Sequence, residues 1–199
     1  MLNLPQSTEV KRPLPKTSLY KQLNWKPSQR DSFDGEVSRL DFVNWIAPRT
    51  LPAIAEGAEV KEIFVIEVSL KSRDFDTRNI GLLAKSIPQR VIYLLRSEDN
   101  AILAVYHTKL FTSSWQTLDN VSVPLDGLNL DAVWQNIVAF VGELEVAEGN
   151  SLTEQIRVDE ERARLVRQIE SLERLMRSTS QPCRQRELYS EIKKLQSLL

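Results

Sequence analysis

Hydrophobic positions along this chain of 199 residues change period several times, and each change predicts an element. Between Asp31 and Pro48, the residues Phe33, Val37, Leu40, Val43 and Ile46 recur every three or four positions. That spacing predicts a helix, capped by Asp31 and stopped by the proline. The stretch "EIFVIEVSLKSRD" (62–74) reads instead as a strand running from about Val60 to Lys71. Its even positions, Phe64, Ile66, Val68 and Leu70, are apolar throughout, whereas its odd positions pass from Ile63 and Val65 to Glu67, Ser69 and Lys71. Ile80, Leu83, Ala84 and Ile87 form a second helical stripe before Pro88, with Asp74 or Asp76 as its cap. "RVIYLL" and "AILAVYHTKL" read as strands joined at the polar turn "SEDN", and a further strand is expected between Ser114 and Val123. "NLDAVWQNIVAFV" has Asn129 as cap and Leu130, Val133, Trp134, Ile137, Val138 and Val141 on one face.

This order predicts an α/β domain over residues 31–145, a small mixed sheet of about four strands flanked by helices. A helix between strands 60–71 and 91–96 allows a right-handed crossover and a parallel pair. "EVAEGNS" marks the next boundary. Beyond it Ile156, Ala163, Val166, Ile169, Leu172 and Met176 repeat at helical steps. Glu160–Arg164, Glu170–Arg174 and Glu173–Arg177 are spaced as favourable i,i+4 pairs. "RSTSQPCR" breaks this helix at Pro182, a second helix follows, and Leu188, Ile192, Leu195 and Leu199 share a stripe on it. Residues 151–199 therefore read as a helical hairpin or coiled-coil arm. Its stripe must pack on its own return helix, on the body or on another chain. The candidate partner-binding positions are Val166, Ile169, Leu172, Met176, Leu188, Ile192 and Leu195. Residues 1–30 hold Pro5, Pro13, Pro15 and Pro27 but also Leu14, Leu19, Tyr20, Leu23 and Trp25. They are expected to form an extended arm docked on the body, with a short helix around Ser18–Leu23.

Charge is uneven along the chain. The first thirty residues carry six basic side chains against Glu9 alone, residues 31–150 carry ten basic and eighteen acidic, and residues 151–199 ten basic and eight acidic. A basic arm on an acidic body makes Lys11, Arg12, Lys16, Lys21 and Lys26 the candidate nucleic-acid contacts. The same arm could fold back on the acidic body or stay solvated. One cysteine, Cys183, and one histidine, His107, exclude an internal disulfide, a CxxC redox pair and a Cys/His zinc cluster. With six glycines and neither a GxGxxG nor a GxxxxGK[ST] run, a Rossmann or P-loop nucleotide site is disfavoured. No cofactor or metal is expected, and no apolar run is long enough for a membrane helix or signal peptide. The setting expected is the reducing cytoplasm. Trp45 and Trp134 are expected in the core, Trp25 and Trp115 at an interface, and His107 at a solvent-facing strand end.

The polar end of strand 60–71 raises one catalytic reading. Metal-dependent nucleases of the PD-(D/E)xK type place two carboxylates and a lysine at the end of a sheet. Glu67 and Lys71 share a strand face, and Glu36 precedes them on the expected helix. Ser69 stands where that pattern needs an acid two residues before the lysine, which favours a structural strand end or the remnant of a site over a live metal site.

"LPKTSLYKQL", "VKEIFVIEVSLKSRD", "IPQRVIYLL" and "LDGLNLDAVWQNIV", in this order, resemble a bacterial family known as domain of unknown function 4391. "LVRQIESLERLMRSTSQPCRQRELYSEIKKLQ" resembles the helical tail of such proteins. Members tend to be encoded beside SNF2-like helicases and DNA methyltransferases in restriction-like or phage-defence neighbourhoods. The resemblance implies a bacterial cytoplasmic protein acting in a DNA-directed complex. The leading expectation is a non-catalytic adaptor that binds a helicase- or methyltransferase-like partner through its C-terminal helices. A degenerate or active PD-(D/E)xK-like metal-dependent nuclease using Glu36, Glu67 and Lys71 and a self-assembling homo-oligomer are the alternatives.

Overall fold

The computed structural model describes residues 2–146 and 151–198. Most of the "EVAEGNS" boundary and the stripe residue Leu199 lie outside them. The chain divides into two compact units, Met1–Glu145 and Val146–Leu199. The first is a mixed α/β unit built on one sheet of seven strands.

Strand β1 (Glu9–Pro13) lies at the sheet edge, which is where its terminal proline is tolerated. Helix α1 (Lys16–Leu23) and helix α2 (Pro27–Glu36) follow, with Pro27 in the first turn of α2, where its missing N–H costs nothing. Strands β2 (Val37–Ile46) and β3 (Ile63–Leu70) are antiparallel. Helix α3 (Thr77–Ser86) then crosses over to β4 (Arg90–Ser97), which runs parallel to β3. Asp76 caps α3, its carboxylate accepting from the Arg78 N–H. β4 turns at Glu98–Asp99 into β5 (Asn100–Tyr106), with Glu98 in the left-handed region. Two short strands, β6 (Leu110–Thr112) and β7 (Gln116–Thr117), pair along the far side of β5. Helix α4 (Leu130–Gly142) is capped by the Asn129 side chain, which accepts from the Ala132 N–H.

Alternation along β3 sorts the core into two layers. Ile66, Val68 and Leu70 meet Val37, Leu40, Tyr93, Leu95, Ile80, Leu83 and Phe33 beneath α1, α2 and α3. Ile63 and Val65 point the other way, as do the fully buried Ile92, Leu94 and Leu103, towards the face covered by α4. The result is a sheet with helices on both sides.

Two expectations require correction. The sheet has seven strands rather than about four, because the arm contributes β1, residues 37–46 form β2 and Leu110–Thr112 form β6, while the strand expected between Ser114 and Val123 is the two-residue β7. The expected helix from Asp31 ends at Glu36, and its second half is that strand. Bulges explain the false periodicity. β2 slips register against β3 between Val37 and Arg39 and again between Phe42 and Asn44. Each bulge adds one residue to one strand, so the face shared by Val37, Leu40, Phe42 and Trp45 is visited at steps of three, two and three. Val37 and Leu40 thus stand three apart on one face, Val43 falls in the second bulge and Ile46 lies on the opposite face, so a spacing of three that imitates a helix is spread over both faces of a strand.

The second unit is a pair of contacting helices, α5 (Leu152–Ser178) and α6 (Pro182–Gln196). Ser151 caps α5 by accepting from the Glu154 N–H, and after the expected break Pro182 opens α6. Among the described residues no helix is long and apolar enough to cross a membrane.

Candidate functional site

The polar end of β3 divides between the two faces of the sheet. Glu67 lies opposite Asp41 of β2 in the antiparallel register, and Ser69 lies opposite Arg39. The Arg39 guanidinium holds Asp41 through two contacts of 2.6 Å, and the Arg96 guanidinium reaches Glu67 at 3.4 Å. Both carboxylates are largely covered, with side-chain exposures of 16% for Asp41 and 13% for Glu67. They border a cavity of about 260 Å³ that Glu9, Lys11 and Asn44 also line. Buried Asn44 is held by donating its amide N–H to Thr8 Oγ1 at 2.9 Å. This side of the sheet thus balances acids against bases strand by strand.

Glu36 belongs to the opposite face. At the end of α2 its carboxylate accepts the Asp76 N–H at 2.9 Å and the Asn79 side-chain N–H at 2.7 Å, tying α2 to the start of α3. The Lys71 ammonium donates to the Asp34 carbonyl oxygen at 2.7 Å, and the Lys71 N–H donates to the Glu36 carbonyl oxygen. Lys71 and Glu36 are therefore neighbours through the backbone, while Glu67 stands across the sheet. Among the described residues no group of three or more His, Cys, Asp or Glu side chains is placed to hold a metal ion. Asp41 and Arg39 were hidden from sequence reasoning because they flank Glu67 only if residues 37–46 form a strand. Alternation in "SRLDF" was the available signal, and the bulge before Leu40 obscured it.

The basic residues of the arm do different things. Lys16 donates to Asp34 and to the Val37 carbonyl oxygen, so its charge is spent on holding α1 to α2. Tyr20 also donates to Asp34, at 2.7 Å. Burial works against ionisation of Asp34, but the bonds from Lys16 and Tyr20 and the nearby Lys71 charge outweigh it and keep the carboxyl below its usual range. Lys11 pairs with Glu9. Lys11 and Arg12 lie exposed on the edge strand, and Lys21 and Lys26 are exposed at the end of α1 and the start of α2. Trp25, expected at an interface, is instead 4% exposed, tilted against Tyr20 and edge-on to Phe33, with its indole N–H donated to Ser86. Its neighbours Gln22, Asn24, Lys26 and Ser28, with two prolines nearby in Pro15 and Pro27, concealed a core anchor. Trp115 is half-buried, beneath Arg73 and edge-on to Phe75. His107 is half-buried too, accepting from the Trp134 indole N–H at 3.4 Å, rather than facing solvent.

In the helix pair the buried stripe is Leu165 and Ile169 on α5 with Leu188 and Ile192 on α6, and Leu172, Met176 and Leu195 are half-buried beside it. The steps from Leu165 to Ile169, Leu172 and Met176 are four, three and four, as in a two-helix seam. Six of the seven candidate partner residues thus lie on or beside this seam. The seventh, Val166, is exposed, as are Val158, Leu175 and Tyr189. Around them Arg157–Glu154, Arg164–Glu161 and Arg184–Glu187 pair at i,i+3, and Glu173–Arg177 meets at 3.8 Å in the expected i,i+4 order.

The class this defines is a mixed-sheet α/β protein followed by a charged helix pair. Within that class, the chain belongs to the family described as Domain of unknown function (DUF4391), whose model it matches over residues 2–199. No curated protein and no solved structure matches it.

Proposed function

We propose that this protein is a non-catalytic adaptor of a bacterial DNA-processing complex, of the restriction or phage-defence type, and that α5 and α6 bind a larger helicase- or methyltransferase-like partner. The observation that carries the reading is the surface of the helix pair. Its seam occupies Leu165, Ile169, Leu188 and Ile192, yet Val158, Val166, Leu175 and Tyr189 remain exposed among paired charges. Apolar side chains set in a charged rim are the composition of a helix-mediated docking face. The handle therefore lies on the outward positions rather than on the seam. The DNA-directed setting rests on the gene neighbourhoods implied by the family resemblance, and Lys11, Arg12, Lys21 and Lys26 supply the exposed charges for a phosphate contact.

The separation of Glu36 from Glu67, with both carboxylates already engaged, speaks for the adaptor over the nuclease-like reading. A cleavage assay with double- and single-stranded DNA in Mg²⁺ or Mn²⁺ tests this. The adaptor is expected to leave DNA intact in either metal. Cleavage that disappears in Lys71→Ala with the fold retained would overturn it.

A further inference from the structure

Between α1 and the end of α3, a groove of about 480 Å³ opens over the sheet. Its floor is Phe42 of β2, Phe64 and Ile66 of β3 and Val91 of β4, and Leu19 and Leu23 of α1 wall it together with Ile87 beyond α3. Leu19, Leu23, Phe42, Phe64 and Ile87 are all half-buried, so part of each apolar side chain stays open to solvent. Among the described residues no Asp, Glu, Lys, Arg or His lines the groove. Arg12 lies opposite Phe42 in the β1–β2 register, but it is exposed and outside the lining.

Apolar surface left uncovered by helices is ordinary in a small domain, and a groove between loosely held walls would close on itself. These walls are fixed. Lys16 and Tyr20 both donate to Asp34, which fastens α1 to α2. The Trp25 indole N–H donates to Ser86 Oγ at 3.1 Å, and that hydroxyl donates to the Leu82 carbonyl oxygen at 2.8 Å, so the segment after α1 is tied to α3. On the floor Phe42 and Phe64 meet edge-on, with ring centres 5.2 Å apart. The volume falls within the roughly 300–1,000 Å³ of small-molecule sites, which are mostly apolar with a few polar groups to orient the ligand. With the Ser86 hydroxyl engaged, the exposed Gln89 side-chain amide is the lining group left for that role.

We propose that this groove binds a small uncharged molecule, hydrocarbon in its body, with one hydroxyl or carbonyl group oriented by Gln89. The lining sets that chemistry. Apolar area gains by leaving water for these side chains, whereas a charge placed among them loses its hydration and meets no counter-charge. Nothing in the adaptor reading requires this site, and it stands or falls separately.

The test is titration of the isotopically labelled full chain with the straight-chain alcohols butanol, hexanol and octanol, read from backbone amide NMR shifts. Hexanol is expected to give saturable shifts centred on Leu19, Leu23, Ile66, Ile87 and Val91. Affinity should rise about fourfold per added methylene, and hexanoate should bind about tenfold more weakly than hexanol. Leu23→Arg, at a half-buried helix position, should abolish the saturable shifts while the amides of α4 keep their positions. Gln89→Ala, at an exposed position where folding is not at stake, should weaken hexanol severalfold. If Leu23→Arg fails to fold, the shift map of the parent and the Gln89→Ala affinity decide. The proposal is overturned if no alcohol gives saturable shifts, or if they centre elsewhere, as on the exposed Val166 and Leu175. Saturable shifts that survive Leu23→Arg, or hexanoate binding as tightly as hexanol, would contradict it as well.

Discussion

Asp131 illustrates how single side chains position the loops of this fold. On the first turn of α4 its carboxylate accepts from the N–H groups of Ala58, Glu59 and Val60, at 2.6, 3.2 and 2.7 Å, pinning the loop before β3. The Val60 bond, assisted by those from Ala58 and Glu59 against a small burial cost, holds its pKa below the usual carboxylate range. Gly57 allows this approach, because a Cβ there would meet Asp131 Oδ1 and lie 2.8 Å from the Asp131 backbone nitrogen. Gly57→Ala is therefore expected to cost about 1–3 kcal/mol, read from the urea midpoint. Asp34 makes a pH-dependent contribution. Its folded pKa is lowered, so the stability it adds is complete above the unfolded value of about 3.9 and is lost as pH falls through the folded value. Asp34→Asn should lower stability at neutral pH and flatten the acid limb below about pH 4, measured by urea unfolding from pH 3 to 7. An unchanged acid limb would contradict the Lys16–Asp34–Tyr20 assignment.

Elements were legible where one period held over several turns or one strand face stayed apolar. β3, α3 with Asp76, the β4–β5 turn and α4 with Asn129 all fall where alternation, capping residues and prolines put them. β2 was not legible, because two bulges gave a strand the spacing of a helix and Pro48 supplied a convincing stop. The polar face around Glu67 was lost with it, since Asp41 and Arg39 become its neighbours only by strand pairing. In the helix pair, Val166 and Leu165 are adjacent and both apolar, and a stripe could be drawn through either. The seam uses Leu165 because it keeps step with Ile169, Leu172 and Met176. Leu188→Ala, at a position 1% exposed, is expected to cost the helix pair about 2–5 kcal/mol. All four tryptophans precede residue 150. Helical ellipticity should thus melt earlier in this variant while the tryptophan fluorescence transition stays near that of the parent. Coincident shifts of both signals would show that the seam is not a local feature of α5 and α6.

At the scale of the whole molecule, the basic arm is part of the sheet as much as a tail. β1 covers β2, and Lys11 and Arg12 on the outer edge discourage further strand pairing. Any DNA contact through Lys11, Arg12, Lys21 and Lys26 involves at most about four phosphates. Its affinity should then fall with log salt at a slope no steeper than about −4, and a steeper slope would place the contact elsewhere. The central claim concerns the helix pair. It is tested most directly by recovering the tagged full-length protein from its native cells, with nuclease present, beside a Val166→Arg, Leu175→Arg variant whose seam is untouched. A helicase- or methyltransferase-like protein should co-purify with the parent and be lost from the variant. Equal recovery with both, or no such partner with either, would contradict the account.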